Sequence, residues 1–303
     1  MPYFQEVPRA EGPSQQATKP DGLSYGAIVG GGAMQALISA LIAGGKTRLD
    51  AAALDIAAIE FPSLLPAPYL QRLDEMGAEL ADETEGLSGP EFVSRTNVYL
   101  FHDLGFRGNQ GNYYDPKNSC LNWVLDRRTG IPITLSVLYL EVARRAGRPV
   151  HGIGLPGHFV VQYDDGEYSS YIDTFNGGQL LSEDDCRELV KDLAGAKDAP
   201  DAKMMEPVGT RYILTRMLNN LRAAYFRREE FERAATVLDL LVQSAPATAD
   251  YYKGRAIANV HNRKFRSASA DFEQYLKLSP EAEDREDIVK QMAAIHRWLG
   301  ALN

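Results

Sequence analysis

At 303 residues, 45% hydrophobic and 24% charged, the chain is long enough for two globular domains and has the composition of an ordinary soluble protein. A net charge of −9 argues against a nucleic-acid backbone as main partner. Two cysteines in unrelated contexts make no disulfide framework and fit a reducing, cytoplasmic compartment.

Residues 1–48 are expected to be a flexible N-terminal segment, rich in Pro, Gln and Ser up to about residue 24. Within it, residues 22–45 carry no charge and approach membrane-spanning length. Three consecutive glycines from Gly30 to Gly32 disfavour a helix, Gln35 interrupts the apolar run, and the preceding residues lack the basic bias of a signal peptide, so no membrane role is expected. GGKT at 44–47 lacks the earlier glycine of a phosphate-binding loop, since position 40 is Ala, and no cofactor is expected.

A helical subdomain is predicted over 49–104. LDAAALDIAAIEFP stops at a proline, PAPYLQRLDEMGAEL is opened by Pro66 or Pro68, and Glu91 to Leu104 continues the helical pattern. The core is predicted over 105–194. It begins with a Gly/Asn-rich loop in which Tyr113 and Tyr114 either cover a cleft or pack as a surface loop. A short helix from Ser119 to Arg128 then holds Cys120 beside Leu121 and Val124, as small buried cysteines commonly sit. Arg127 and Arg128 either reach the rim of the same cleft or complement the helix dipole.

Residues 131–146 read as a helix opened by Pro132 and stopped by Gly147, apolar nearly all round and therefore central. A strand from Val150 to Leu155 precedes a hairpin, HFVVQYDDGEYSSYIDTF, with Asp165-Gly166 at the turn. If Asp164 pairs with Glu167, His158 lies directly across from Asp173, with Cβ atoms about 4.5–5.5 Å apart. A carboxylate beside an imidazole is the base-and-orienter half of a nucleophilic triad, although such a pair can also serve only to hold a hairpin. The turns at Leu155-Pro156-Gly157 and Asn176-Gly177-Gly178 favour a cleft at this end of the hairpin, with Asn176 at its edge. Cys186 follows a Ser182 helix cap and reads as core packing. The five histidines, at 102, 151, 158, 261 and 296, have no metal-ligand spacing.

The run NSCLNWVLDRRTGIPITLSVLYLEVARRAGRPVHGIGLPGHFVVQY, with YIDTFNGG, closely resembles the transglutaminase-like domain of the SirB-type bacterial proteins. That resemblance implies an α+β fold: a papain/transglutaminase-like core with a buried central helix and an antiparallel sheet, carrying His158 and Asp173 as residual triad positions. In the wider superfamily the catalytic Cys opens the central helix, about four turns before its final Gly. Counting back from Gly147 reaches Pro132. Remaining candidate nucleophiles are Cys120, Thr134 and Ser136. The last two are more simply read as polar residues at a helix N-terminus.

Residues 209–303 are predicted to be an all-α array. A 34-residue offset superposes Pro246 on Pro280, Leu218 on Tyr252, Phe231 on Phe265, Ala234 on Ala268 and Leu238 on Phe272, the tetratricopeptide period. This segment holds 15 Lys+Arg against 12 Asp+Glu, while residues 1–208 hold 17 against 29. The imbalance favours docking of the repeats onto the acidic body of the same chain or onto an acidic peptide. The boundary is placed in the linker 195–209, giving a transglutaminase-like domain over 49–208. Three functions stay open: a non-catalytic domain binding a peptide or protein in its old cleft with the repeats as scaffold, an acyl-transfer or peptide/isopeptide-hydrolysing enzyme with an unorthodox nucleophile, and a structural adaptor with an inert His–Asp pair. The sequence does not speak to oligomeric state.

Overall fold

A computed structural model describes residues 31–43, 48–194 and 202–300. They divide into two compact units, residues 32–224 and residues 225–300.

The first unit is built around a central helix, α6 (Pro132–Arg145), in which every residue from Pro132 to Ala143 is buried. Among the described residues five α-helices precede it: α1 (Gly31–Ala43), α2 (Leu49–Ala57), α3 (Pro66–Glu83), α4 (Gly89–Asn97) and α5 (Leu121–Arg127). The helix α1 lies in the stretch expected to be flexible. Leu37, Ala40 and Leu41, at helical spacing, are buried along one stripe, which outweighs the glycines at its start. Residues 1–30 and 44–47, with the GGKT tetrapeptide, and residues 195–201 of the predicted linker lie outside the described residues.

Helix α3 crosses α6 at Gly77, where an added Cβ would stand 2.2 Å from the Arg145 Cβ. The Arg145 side chain is 8% exposed and bonds Asp50 (2.5 Å), Glu141 (2.6 Å) and Asp74 (2.7 Å), tying α2 and α3 to the end of α6. A buried guanidinium without carboxylates would be prohibitive, so this network specifies how the three helices meet.

A two-residue parallel pair, β1 (Arg107–Gly108) with β2 (Thr129–Gly130), flanks α5. After α6 comes an antiparallel sheet of β3 (Val150–Ile153), β4 (Val160–Asp164), β5 (Ser169–Asp173), β6 (Gln179–Leu181) and β7 (Pro207–Val208), in the order β6-β5-β4-β3-β7. Helix α7 (Glu183–Ala194) lies between β6 and β7 in the chain and starts with a Ser182–Asp185 capping pair.

The β4–β5 register differs from the expected one by two residues. Asp164 pairs with Ser169, and the turn centres on Gly166-Glu167. Gly166 has φ +86°, which suits the first central position of a type II′ turn. The Asp165 carboxylate accepts the N–H groups of Glu167 and Tyr168, a role open to it only from the position before the turn centre.

Helix α8 (Thr210–Arg227) follows β7 and packs on β3 through its first half. A Cβ on Gly154 would meet the Tyr212 ring at 2.4 Å, and one on Gly152 would meet Phe159 at 2.9 Å and Ile213 at 3.3 Å. Ile213, Leu214 and Met217 are buried.

The second unit contains α9 (Phe231–Ser244), α10 (Ala249–His261), α11 (Phe265–Leu278) and α12 (Arg285–Gly300). Its 34-residue period is written in the backbone. Glu229 and Arg263 both adopt left-handed φ, at 57° and 59°, and the next helix begins two residues later in each case. Ala245 and Ser279 end α9 and α11 with φ −143° and −130°. Ala234, Ala268, Leu238 and Phe272 are all fully buried. Small Ala at the repeated position lets neighbouring helices close on each other.

Candidate functional site

His158 and Asp173 meet at the end of the β4–β5 hairpin, with His158 Nε2 3.0 Å from Asp173 Oδ2. Both side chains are buried, at 7% and 3% exposed. The loop that follows β5 is organised by the same carboxylate. Asp173 Oδ1 accepts N–H groups from Phe175 (3.0 Å) and Asn176 (3.3 Å), and Oδ2 also accepts from Asn176 Nδ2 (2.9 Å). Burial would push the Asp173 carboxyl up, but His158 and Asn176 outweigh it and hold it below the usual carboxylate range. An ionised carboxylate can only accept, so the imidazole donates from Nε2. No hydrogen bond reaches Nδ1 among the described residues.

The loop is clamped from behind by a helical segment. A π-helical turn, Val98–Asp103, continues α4 and sets Asn97 and Phe101 against Gly178. Asn97 Nδ2 donates to the Gly178 carbonyl (2.7 Å), and a Cβ on Gly178 would stand 2.6 Å from Asn97 Cγ. From below, the hydroxyls of Ser136 and Thr174 bond at 2.9 Å, joining α6 to the residue after Asp173.

Outward from His158 runs a row of edge-on aromatic rings: His158 to Phe175 (6.3 Å), Phe175 to Tyr113 (6.0 Å) and Tyr113 to Tyr114 (5.2 Å). Both tyrosines are exposed. Alongside lies an open groove of about 660 Å³ lined by residues 107–111, Thr129, Phe175 and Asn176. Gly108 forms part of its wall because a Cβ there would meet the Phe175 carbonyl at 2.5 Å.

Of the residues singled out in the sequence, His158, Asp173, Asn176, Tyr113 and Tyr114 are joined by these contacts. Arg127 and Arg128 are not among the groove residues. Arg127 lies over the Trp123 ring at 4.9 Å, and Arg128 caps α5 with φ 56°. The candidate nucleophiles are bound elsewhere. Thr134 Oγ1 donates to Asn118 O (2.7 Å) and accepts from the Ile131 amide (3.2 Å), and Ser136 is held by Thr174. Cys120 Sγ is buried, 3.6 Å from Pro116 O. Cys186 packs with Ile153, Leu155 and Val160, and burial, with Asp185, Asp173 and Glu183 nearby, pushes its thiol up to about 12. Among the described residues no cluster of His, Cys, Asp or Glu could hold a metal ion.

Sequence reasoning did not find Arg107, Phe175 or Arg216. Arg216 of α8 donates to the His158 carbonyl (2.8 Å) and lies over the Phe159 ring at 5.9 Å. Phe175 carried the one available signal, as an aromatic two residues after the acid.

Comparison with known proteins agrees with this architecture. Residues 67–219 match the transglutaminase-like superfamily and residues 221–293 a tetratricopeptide repeat family. A UPF0162 protein of Xylella fastidiosa (strain Temecula1) is 36% identical over 237 residues, covering 77% of this chain and 84% of that protein. A UPF0162 protein of Pseudomonas aeruginosa is 30% identical over 205 residues, covering 68% and 75%. Human F-box only protein 21 is 34% identical over 139 residues, 43% of this chain and 21% of its own. No solved structure matches. Among the described residues no helix is long and apolar enough to cross a membrane. With a buried central helix, an antiparallel sheet bearing a His–Asp pair, and 34-residue helical repeats following them in sequence, the chain belongs to the transglutaminase-like superfamily, in its SirB-type UPF0162 family.

Proposed function

We propose that this protein binds a peptide or protein segment in the groove beside His158 and Asp173 without forming an acyl intermediate, and that its repeats scaffold a protein partner. The observation that carries the reading is Pro132 at the first position of α6, where the superfamily's thiol would stand. A helix N-terminus lowers a thiol pKa, but a pyrrolidine ring offers no atom to activate. The hydroxyls and thiols closest in sequence are committed to other partners, and a thiol kept protonated, as in Cys186, is a poor nucleophile. Keeping the His–Asp pair without its nucleophile leaves a shaped cleft whose polar edge suits recognition.

A second reading, acyl transfer or hydrolysis by an unorthodox nucleophile, is favoured by the unbonded Nδ1 of His158, which is a ready base. Treatment of the folded chain with iodoacetamide near neutral pH, and separately with a fluorophosphonate, followed by peptide mass spectrometry, tests the choice. Binding without acyl chemistry predicts that neither cysteine alkylates faster than a small-molecule thiol and that no hydroxyl is labelled. Rapid labelling of Cys120, Thr134 or Ser136 that is abolished by His158→Ala would establish the enzyme instead.

A further inference from the structure

We infer that the segment held in this groove is acidic, presenting a side-chain or C-terminal carboxylate to Arg107 while an apolar side chain lies on the Phe175–Tyr113 row. This rests on the peptide-binding reading of the site. Arg107 is the charged side chain of the groove wall, exposed, and it forms no ion pair among the described residues. A second guanidinium, Arg216, borders the same aromatic row through the His158 carbonyl and likewise meets no carboxylate among the described residues. The one carboxylate at the site, Asp173, is taken up by His158, Asn176 and two backbone N–H groups.

Among the described residues, Arg107 shares its lack of a carboxylate partner with Arg127, Arg128 and Arg148 of the same unit, but it alone of these stands in the groove wall. Residues 1–208 carry 29 acidic against 17 basic side chains, and Arg48, Arg95 and Arg145 of the same unit are each paired with carboxylates. The Arg107 guanidinium, left without a carboxylate among the described residues in the groove wall of an acidic body, is complementary to an anion supplied from outside. A guanidinium fork matches a carboxylate in a bidentate way that a point charge does not. The remaining polar atoms favour a peptide over a free anion. The Gln110 amide and Asn176 Oδ1 make no hydrogen bond among the described residues and can bond a peptide backbone. Tyr113 and Tyr114 expose ring surface at the same edge.

The test is an NMR titration of the isotope-labelled full chain with two probes, Ac-Phe-Glu-Gly-NH2 and its neutral counterpart Ac-Phe-Gln-Gly-NH2, and with inorganic phosphate. The acidic peptide is expected to shift the Gly108, Gly111 and Asn176 amides and the Arg107 side-chain N–H, binding about fivefold tighter than the neutral one at low salt, the size of a well-placed exposed ion pair. Arg107→Gln should equalise the two peptides with the fold intact, and Arg107→Lys should keep part of the preference. Equal affinities in the unmodified protein, with groove shifts, would overturn the acidic preference and leave peptide binding standing. Absence of groove shifts with either peptide would overturn both. The same shifts from phosphate alone at equal or lower concentration would make this an anion site and not a peptide site.

Discussion

His158 Nε2 and Asp173 Oδ2 are 3.0 Å apart although the two residues are not cross-strand partners: His158 lies three residues before the first β4–β5 pair and Asp173 one residue after it. The contact is therefore made diagonally across the end of the hairpin, by an imidazole delivered from the Leu155–His158 turn. It sets Nε2 as the donor to the carboxylate and leaves Nδ1 directed away from it.

Asp173→Asn is expected to invert that tautomer. An Asn at this position can still accept the Phe175 and Asn176 amides through its oxygen, but its NH2 would face Nε2 and demand an acceptor there. The His158 ring nitrogen resonances should exchange their protonated and unprotonated signatures, with a stability loss of about 1–3 kcal/mol and no loss of cooperative unfolding. An unchanged tautomer would mean that Asp173 does not set the imidazole.

Acid stability should depend on Asp50. Burial would raise its carboxyl, but bonds from Arg48, Arg145 and the Ala51 amide hold it at about 2. A carboxyl depressed in the folded state stabilises above its unfolded pKa of about 4 and loses that contribution as pH falls toward about 2. Arg145→Ala strips one of these bonds and leaves a buried carboxylate underpaired, costing about 3–5 kcal/mol at pH 7. Because protonation of Asp50 removes the ion pair in the unmodified protein as well, the deficit should narrow near pH 2. Urea melts at pH 7 and near pH 2 measure it, and a deficit that does not change with pH contradicts the assignment.

The parts of this protein legible in the sequence are those with a local physical signature. Pro132 and Gly147 bracket the central helix because one suits a first helical position and the other adopts φ +73°. The repeats are legible because small and aromatic residues recur at one offset. The groove was not, because β1 and β2 are two residues long and have no periodicity to read. Arg216 was missed for a different reason. Leu218 superposes on Tyr252, so the 34-residue offset assigns the whole of α8 to the repeats, whereas Tyr212, Ile213 and Arg216 pack on the sheet and the site. The hairpin register slipped because Asp-Gly suits a type I′ centre, and only the Asp165 side-chain bonds favour the turn one residue later.

The repeated left-handed residues allow a paired test. Glu229 and Arg263 are exposed, lie 34 residues apart and hold φ near 58° without glycine's freedom. Replacing either by Gly relieves Cβ strain of about 1–2 kcal/mol against a glycine entropy cost of about 0.5–1 kcal/mol. Glu229→Gly and Arg263→Gly should therefore each stabilise by about 0.5 kcal/mol, read as a higher urea midpoint at unchanged slope. Opposite signs at the two positions would show that side-chain contacts, and not the shared turn, decide them.

Truncation should distinguish a boundary in the linker from one within α8. A chain ending at Arg228 keeps α8 whole, and with it the buried Ile213, Leu214 and Met217, the Tyr212 ring over Gly154 and the Arg216 bond to the His158 carbonyl. A chain ending at Val208 keeps every strand but removes these residues. Each buried aliphatic side chain returned to water costs about 1.5–3 kcal/mol, so three exceed what a marginal domain can lose. The longer truncation should melt cooperatively and the shorter one should aggregate or melt without a transition. If the chain ending at Val208 instead folds with an unperturbed His158 signal, α8 belongs functionally to the repeats and the site is complete without Arg216.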